Sequence, residues 1–456
     1  MSVLAIEFND AAITGVDQSA TLFSAPGYAF LNGSRVLFGQ KALGATSVQA
    51  PHFFDRYWYE LSDEPLPGNN TSGYQTAADL ACAQLQYLWA LCAPAPDEVI
   101  FVVPSHWSQS QLGLLLGFAT EIGIPVAGLV DSSVAATRHV YEDRRLVHID
   151  AGLHAIGFAQ LSQGEDYVGV ATSELTTGTG IVALRRAAAD FIAQSFVASS
   201  RFDPLHDAKS EQQLFTRLEE WLAHLLANEA LSAELEFSGN VFKSRLSAAE
   251  LARHLGYFCE PMVQRLRAML GGVPGAIQVT HILANFPGVL EALSSVAEAE
   301  VFVLDPGAAG RGAIARSQHL SNGGAGFRLI KKLPWDQEAL AFAKSDASAT
   351  DTDSAPSHIL YQSKVYRLSD RAFSIGTELP AGEHGLVTAS SQGISRRHCT
   401  LQLSENRVTV NDHSRFGTFL NGHRVDESAV LQAGDVLTVG APPEEFRLLV
   451  EVAQEG

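Results

Sequence analysis

The sequence predicts an α/β body over residues 1–335 followed by a small all-β sandwich over residues 358–453. Three observations predict this division. The first part alternates short apolar runs rich in β-branched residues with longer segments of helical spacing, which is typical of α/β domains. The last part contains short β-type runs separated by glycine and polar residues. Between them, residues 336–357 are rich in Ala, Ser, Thr and Asp without hydrophobic periodicity, which predicts a flexible acidic linker.

The elements of the body follow from the spacing of its apolar residues. Val99–Val103 and Leu146–Ile149 are predicted strands. The predicted helices, which share helical spacing and length, are Thr76–Leu91, Ser108–Gly123, Thr179–Phe196, Ser210–Asn228 and Ser247–Leu270. Ser108 and Ser247 stand where N-caps are expected, and Glu250 follows Ser247 at the spacing of a capping box.

Composition restricts the function classes. The formal net charge of −19 argues against a nucleic-acid binder and against an anionic membrane surface as partner. The hydrophobic content of 46% is ample for conventional cores, and the charged content of 18% is too low for a disordered chain. No apolar run approaches the length of a membrane span, and the first residues lack the features of a signal peptide.

The cysteines indicate a reducing compartment. Cys82, Cys92, Cys259 and Cys399 are scattered in apolar contexts and form no C-x-x-C pair. They are therefore expected to be reduced core residues of a cytoplasmic protein, and no metal site is expected.

The C-terminal part carries the most specific motifs. Strands are predicted at Cys399–Leu403, Arg407–Asn411, Thr418–Leu420 and Val436–Val439. Asn421-Gly422 separates two β-type runs, and an Asn-Gly pair in that setting predicts a hairpin. Landmark residues occur in a fixed order between the runs: Gly376, Ser395-Arg396-Arg397-His398, Gly417 and Asn421-Gly422. In their order and spacing they resemble a forkhead-associated (FHA) domain, a module that binds phosphothreonine.

The resemblance implies roles for individual residues. Ser395 and Arg396 match the positions that contact the phosphate, while Gly376, His398, Gly417, Asn421 and Gly422 match structural positions of the motif. For His398, Asn421 and Gly422, the interpretation favoured here is that they hold loops and turns in place. A phosphothreonine carries nearly two negative charges, so its pocket requires a guanidinium and hydroxyl or N–H donors.

Two parts of the motif depart from the family. Thr377 stands where the family usually has arginine, and Arg415 and Phe416 stand where a small hydroxyl residue and asparagine often hold the peptide. One missing guanidinium weakens phosphate binding, because a charge-assisted hydrogen bond contributes about 1.5–3 kcal/mol. Arg397 or Arg415 is expected to supply the missing charge.

The body carries a second, more diffuse resemblance. Val102-Val103-Pro104 leads into a helix, and Asp131-Ser132-Ser133-Val134-Ala135-Ala136 follows the next strand. With Asp150-Ala151-Gly152 and Asp305-Pro306-Gly307 further along, this order is similar to the actin-like ATPases, closest to DnaK-type chaperones. The resemblance implies a two-lobed fold of RNase H-like sheets, with lobes at about residues 1–145 and 146–318.

The segments that would bind a nucleotide are altered. In the family, ATP and magnesium lie between two phosphate loops, where glycine allows close backbone approach. Here Glu7 replaces the usual aspartate of the first loop, Asp150 and Gly152 remain in the second, and only Pro287-Gly288 of the adenosine segment is retained. Glu7 and Asp150 would be the catalytic residues of an active ATPase. The alternative, favoured by the lost glycines, is that they are ordinary acids at strand ends.

Two functional hypotheses result. In the first, the chain is a non-enzymatic cytoplasmic adaptor: its FHA domain binds a phosphothreonine-containing protein, and its ATPase-like body serves as a platform. In the second, it is an ATP-dependent, chaperone-like or actin-like switch regulated through the FHA domain. The linker adds a possible ligand, because Asp353 follows Thr350 at a spacing that some FHA domains prefer. Phosphorylation of Thr350 would then promote self-association, although a plain linker residue is the alternative favoured here.

Overall fold

A computed structural model describes most of the chain: residues 2–33, 35–45, 52–66, 73–296, 298–320, 327–336, 356–361, 364–368, 371–379, 384–388, 393–404, 407–415, 417–420, 423–425, 427–432, 435–440 and 444–449. Its contacts divide the chain into two compact units, Met1–Leu340 and Ala341–Gly456. Within the described residues, no helix is both long and apolar enough to cross a membrane.

The first unit is mixed α/β. Its strands are β1 (Val3–Asn9), β2 (Ala12–Val16), β3 (Thr21–Ala25), β4 (Ala29–Asn32), β5 (Arg35–Phe38), β6 (Phe53–Phe54), β7 (Glu98–Val103), β8 (Val126–Asp131), β9 (Arg145–Ala151), β10 (Ala155–Gln163), β11 (Tyr167–Thr177), β12 (Ala230–Phe237), β13 (Asn240–Ser247), β14 (Gly275–Thr280), β15 (Ala299–Leu304), β16 (Leu329–Ile330) and β17 (Lys332–Pro334). Its α-helices are α1 (Gln40–Ala45), α2 (Ala77–Trp89), α3 (Gln109–Ile122), α4 (Ser132–Ala136), α5 (Ile181–Ser200), α6 (Ala208–Ala227), α7 (Ala248–Phe258), α8 (Glu260–Leu270), α9 (Val289–Ser294) and α10 (Ala308–Ala315).

Two six-stranded sheets form the frame of this unit. One has the order β16-β8-β7-β1-β2-β3, and the other has the order β15-β14-β9-β10-β11-β17. In each sheet three consecutive strands, β1–β3 or β9–β11, pair antiparallel. Two later strands then add in parallel on the side of the first strand of the trio. The second half of the unit therefore repeats the topology of the first half.

Buried apolar residues join the two sheets. One buried cluster contains Ala5 and Val102 from the first sheet, Leu146 and Ala159 from the second, and Ala313 from α10. Larger side chains fill separate clusters on the outer face of each sheet, under the helices. The cleft between the sheets thus has strand ends and α10 as its walls. Two small sheets, β5-β4-β6 and β12-β13, were not predicted from the sequence.

The predicted elements of the body are confirmed with one correction. Ser108 begins α3 with a capping box to Gln111, and Ser247 Oγ accepts from Glu250 N at 3.4 Å. The helix predicted over Ser247–Leu270 is wrong as a single element, because it breaks at Cys259 into α7 and α8. Pro261 lies in the first turn of α8, where its missing N–H costs nothing, whereas inside one continuous helix it would have removed a hydrogen bond.

Only the ends of the predicted linker are described. Asp336 is buried and pairs with Arg138 at 2.6 Å, so this residue packs on the first unit. Ser357 O accepts from Leu368 N at 2.8 Å in the second unit. Residues 337–355, including Thr350 and Asp353, lie outside the described residues, and their predicted flexibility stays a prediction.

The second unit is a β-sandwich. Its strands are β18 (His358–Tyr361), β19 (Lys364–Arg367), β20 (Phe373–Gly376), β21 (His384–Val387), β22 (Cys399–Ser404), β23 (Arg407–Asp412), β24 (Thr418–Leu420), β25 (His423–Arg424), β26 (Ser428–Leu431), β27 (Val436–Val439) and β28 (Glu444–Leu449). One sheet has the order β19-β18-β28-β27-β24-β25, and the other has the order β21-β20-β22-β23-β26. Apolar side chains from both sheets form one core, which includes Ile359, Phe373, Leu401, Leu437 and Phe446.

The four strands predicted in this part are confirmed. Thr418–Leu420 and Val436–Val439 have the predicted bounds, and the other two extend one residue further. β24 and β25 pair antiparallel with Leu420 opposite His423, which is the register that a two-residue turn gives. Asn421 and Gly422 themselves lie outside the described residues.

Candidate functional site

Three segments meet at one end of the sandwich: the end of β20, the loop before β22 and the loop between β23 and β24. Thr377 N donates to Ser395 O at 3.2 Å, and Glu378 N donates to Arg396 O at 3.1 Å. The residues that follow β20 therefore hold the Ser395–Arg396 backbone through main-chain hydrogen bonds. This arrangement fixes the loop that the sequence marked as the phosphate-binding one.

Gly376 is required for this close approach. A Cβ atom at this position would lie 2.0 Å from Arg396 O and 3.0 Å from Ser395 O. Real Cβ contacts do not occur at 2.0 Å, and the neighbour is backbone rather than a flexible side chain. Any side chain at residue 376 would therefore push the Ser395–Arg396 segment away.

The side chain of His398 links the second and third segments. Its ring is buried; Ser395 N donates to Nδ1 at 3.1 Å, and Nε2 lies 3.1 Å from Gly417 O. Because Nδ1 accepts, the proton is on Nε2, which donates to the carbonyl. Burial lowers the pKa of His398, which keeps the ring in this neutral form. His398 thus forms hydrogen bonds with two of the loops.

The Ser395 hydroxyl is placed by the loop between β23 and β24. Arg415 N donates to Ser395 Oγ at 3.2 Å, which leaves the hydroxyl hydrogen for another acceptor. Asp412 Oδ1 in turn accepts from Ser414 N and Thr418 Oγ1, both at 2.9 Å. Although partial burial acts to raise it, the pKa of Asp412 is lowered by these hydrogen bonds, so the carboxylate stays ionised and fixes the loop.

Cationic side chains gather on these loops. Arg396 and Arg397 are exposed beside Ser395, and the exposed Arg415 is joined to Ser395 through its own backbone. Three arginines on the loops around an oriented hydroxyl are the residue types that a dianionic phosphate requires. Glu378, also exposed, lies on the adjoining segment and brings a negative charge to the same end of the sandwich.

Residues 374–440 match the family model described as FHA domain. Residues 374–440 form an FHA domain. They include the three segments described above, whereas the match does not extend to the first unit. FHA domains bind phosphothreonine-containing proteins.

A curated protein is similar to a short part of this chain. Nibrin from Danio rerio is 35% identical over 65 residues, which is 14% of this chain and 8% of that protein. The similarity to nibrin is therefore confined to a segment about the size of the FHA domain.

The structure brings most of the predicted FHA residues together. Thr377, Ser395, Arg396 and Arg415 lie on neighbouring loops, with Arg397 next in sequence to Arg396. Gly417 has a positive φ of 98°, and a Cβ there would lie 2.8 Å from Arg424 Nε. Phe416, like Asn421 and Gly422, lies outside the described residues. Sequence reasoning missed Glu378, Asp412 and Ser414, although an Asp-x-Ser spacing before Gly417 is a recognisable turn signal.

The cleft of the first unit holds a second candidate site. Glu7 and Asp150, the predicted acids, line one small cavity that opens to solvent. His148, Thr280 and Asp305 line it as well, and none of them was predicted as a site residue. Two smaller adjoining cavities also have Asp150 in their walls. The structure thus brings together acids that are 143 residues apart in sequence.

Side chains of the first loop form hydrogen bonds with the second loop, and one of them occupies a backbone donor. Asp10 Oδ1 accepts from Leu153 N at 2.7 Å, and a Cβ at Gly152 would lie 2.6 Å from that oxygen. Asn9 Nδ2 donates to Asp150 Oδ1 and to Ala151 O. Gly152 therefore admits a carboxylate of the chain itself, at the position where the actin-like resemblance expects a phosphate.

Pro287 and Gly288 lie beyond the segment that lines the cavity, where Thr280, His281 and Ile282 stand. Gly288 has a φ of 84°, and a Cβ there would lie 2.2 Å from Ala252 O, so its absence of a side chain lets α9 approach α7. His154, which was given no catalytic role, has Nε2 3.1 Å from Asp55 O. Among the described residues, no group of three or more His, Cys, Asp or Glu side chains is arranged to hold a metal ion.

Glu7 makes the stability of the first unit depend on pH. Burial raises its pKa from 4.5 to about 7, opposed by a hydrogen bond from Gly310 N. Between these values the folded state binds more protons than the unfolded state, so the free energy of unfolding falls as pH rises. The loss is about 3 kcal/mol between about pH 4 and about pH 8.

We expect Glu7→Gln to remove this part of the pH dependence, because the amide oxygen still accepts from Gly310 N but does not ionise. The variant should match the wild type near pH 4 and exceed it near pH 8 in urea unfolding. Tryptophan fluorescence reports on this unit alone, since all five tryptophans lie between residues 58 and 335. Exposed Glu220→Gln serves as control. Parallel pH curves for Glu7→Gln and wild type would contradict the prediction.

Proposed function

We propose that this protein is a phosphothreonine-dependent adaptor whose FHA domain binds a phosphorylated protein partner. The observation that carries the proposal is the hydrogen bond from Arg415 N to Ser395 Oγ, which places the Ser395 hydroxyl beside the loops that carry the arginines. Arg396 and Ser395 contact the phosphate, and Arg397 or Arg415 supplies the charge that Thr377 lacks. The partner is a protein and not a nucleic acid or a membrane, consistent with the net charge of −19.

The first unit serves as a platform of the actin-like type that does not hydrolyse ATP. The duplicated order of three antiparallel strands and two parallel strands supports this fold assignment. Asp10 and Glu7 support the lack of activity, because they already accept from Leu153 N and Gly310 N. An incoming phosphate would meet carboxylates rather than free backbone donors.

A second candidate function is an ATP- and magnesium-dependent switch. It is favoured by one observation, the meeting of Glu7 and Asp150 in a single cavity. Turnover of ATP that disappears in Asp150→Ala would support this function over the platform. The cytoplasm is the proposed location, since the four cysteines are free thiols. Self-association through phosphorylated Thr350 remains part of the proposal for the linker.

The adaptor proposal is tested with the full chain and two peptide pools, one with a central phosphothreonine and one with threonine at the same place. We expect the full chain to retain the phosphorylated pool and not the other, because the loop guanidiniums bind a dianion. Fluorescence polarisation of individual retained peptides then gives affinities. Equal retention of both pools would reduce the domain to a phosphate-independent interaction module.

A further inference from the structure

His148 on β9 is a buried histidine with an unused ring nitrogen. Its side chain is 2% exposed and lines the cavity that also holds Glu7 and Asp150. Within the described residues, Nε2 has no hydrogen-bond partner. Leaving a buried polar atom unpaired costs about 1–3 kcal/mol. A ligand in the cavity that supplies the partner would recover that free energy.

The surrounding groups determine what His148 presents to the cavity. Gln278 Nε2 donates to Tyr141 Oη at 3.0 Å, which directs Gln278 Oε1 towards Thr137 and His148. His148 Nδ1 lies 3.4 Å from that oxygen and carries the proton. Burial lowers the pKa of His148 and keeps the ring neutral. His148 Nε2 is therefore an unprotonated acceptor that requires a donor.

The acidic side chains of the cavity also require hydrogen-bond donors. Glu7, Asp150 and Asp305 line it with carboxyl groups. Ser132 Oγ donates its hydrogen to Asp150 Oδ2 at 3.3 Å, so the hydroxyl has only its oxygen lone pairs left to offer a ligand. The described residues that line the cavity include neither lysine nor arginine. An anion would be repelled here, whereas a cation with N–H groups is complementary.

We propose that this cavity binds a small organic ammonium ion, whose N–H groups donate to His148 Nε2 and the Asp150 carboxylate. A divalent metal is a weaker match, because the described residues offer no group of three metal-ligating side chains. Glu7 adds a consequence. Its pKa of about 7 is raised by burial and by the charge of Asp150 and lowered by Arg311 and by the backbone N–H groups of Gly310 and Ala309. A cation that binds nearby lowers this pKa further, so binding near neutral pH releases a proton.

The probe for this proposal is ethanolammonium, compared with tetramethylammonium at equal ionic strength. Both carry one charge, but only the first has N–H donors. Thermal unfolding of the full chain is followed by tryptophan fluorescence, which reports on the first unit. We expect the Tm to rise with the logarithm of ethanolammonium concentration and to stay constant in tetramethylammonium, because only a ligand of the folded state stabilises it.

Variants separate binding from general effects on folding. Asp150→Asn should raise the half-saturating concentration of ethanolammonium by about tenfold. His148→Gln should do the same, whereas exposed His206→Gln should leave it unchanged. Calorimetry in buffers of different ionisation enthalpy then measures the proton release. An equal rise in tetramethylammonium, no rise in either ion, or a rise with magnesium-ATP alone would overturn the proposal.

Discussion

Replacing Arg396 with alanine is expected to weaken binding of a phosphothreonine peptide by tenfold or more. Its guanidinium is exposed next to Ser395, and among the described residues it has no hydrogen bond or ion pair of its side chain. The group is therefore available for a bidentate contact with phosphate oxygens. Loss of a charge-assisted hydrogen bond costs about 1.5–3 kcal/mol, which corresponds to a factor of about 10 to 150 in Kd.

The controls for Arg396 use the same sandwich. Arg407→Ala removes an exposed guanidinium at the start of β23, the strand whose other end leads to the binding loops. Arg407→Ala should change the affinity for the phosphopeptide little, because salt screens most of the effect of removing one distant positive charge. Arg396→Lys should give an intermediate Kd, because lysine keeps the charge but not the fork geometry. Unchanged affinity of Arg396→Ala for the phosphopeptide would assign phosphate binding to other residues.

Replacing Gly376 with alanine is expected to destabilise the FHA domain and abolish phosphopeptide binding. The added Cβ would lie 2.0 Å from Arg396 O, so either β20 or the Ser395–Arg396 loop has to move. Overpacking of this kind costs about 1–3 kcal/mol. Either movement breaks the hydrogen bonds from Thr377 N and Glu378 N that position the loop.

Hydrogen exchange measured by mass spectrometry on the full chain locates the effect of Gly376→Ala. Exchange should increase in peptides covering residues 373–378 and 393–400 and remain unchanged in the first unit. Thr377→Ala is the matched control, because it changes the neighbouring side chain without a backbone clash. Wild-type exchange and affinity in Gly376→Ala would show that the loop tolerates a side chain at this position.

The FHA part of the fold was accessible from the sequence because its signals are local. Asn421-Gly422 and the run Ser395-Arg396-Arg397-His398 each occupy a few consecutive residues, and the strands between them are short and apolar. Pro261 is a sequence signal for the break at Cys259, because proline is rare inside a helix. The helical spacing of apolar residues continues on both sides of the break, so the spacing alone predicted one helix. Local sequence thus predicts elements well where turn residues mark their ends.

The arrangement inside the cleft of the first unit was not accessible in the same way. Asp10 and Leu153, whose hydrogen bond occupies the second loop, are 143 residues apart. The state of His148 depends on Gln278, 130 residues away, and on the direction in which that amide points. Acidic residues at strand ends are common in proteins. Only the packing of the two sheets against each other shows that these acids share one cavity, and the sequence does not reveal that packing.

The buried imidazole of His398 also provides a spectroscopic reporter. A ring N–H that donates to a carbonyl inside a core exchanges slowly with water, so its proton resonance is expected downfield of the amide region in NMR spectra. That resonance depends on Ser395 on one side of the ring and on Gly417 on the other. A single proton signal would therefore follow the order of both binding loops during a titration, without a label at the recognition surface itself.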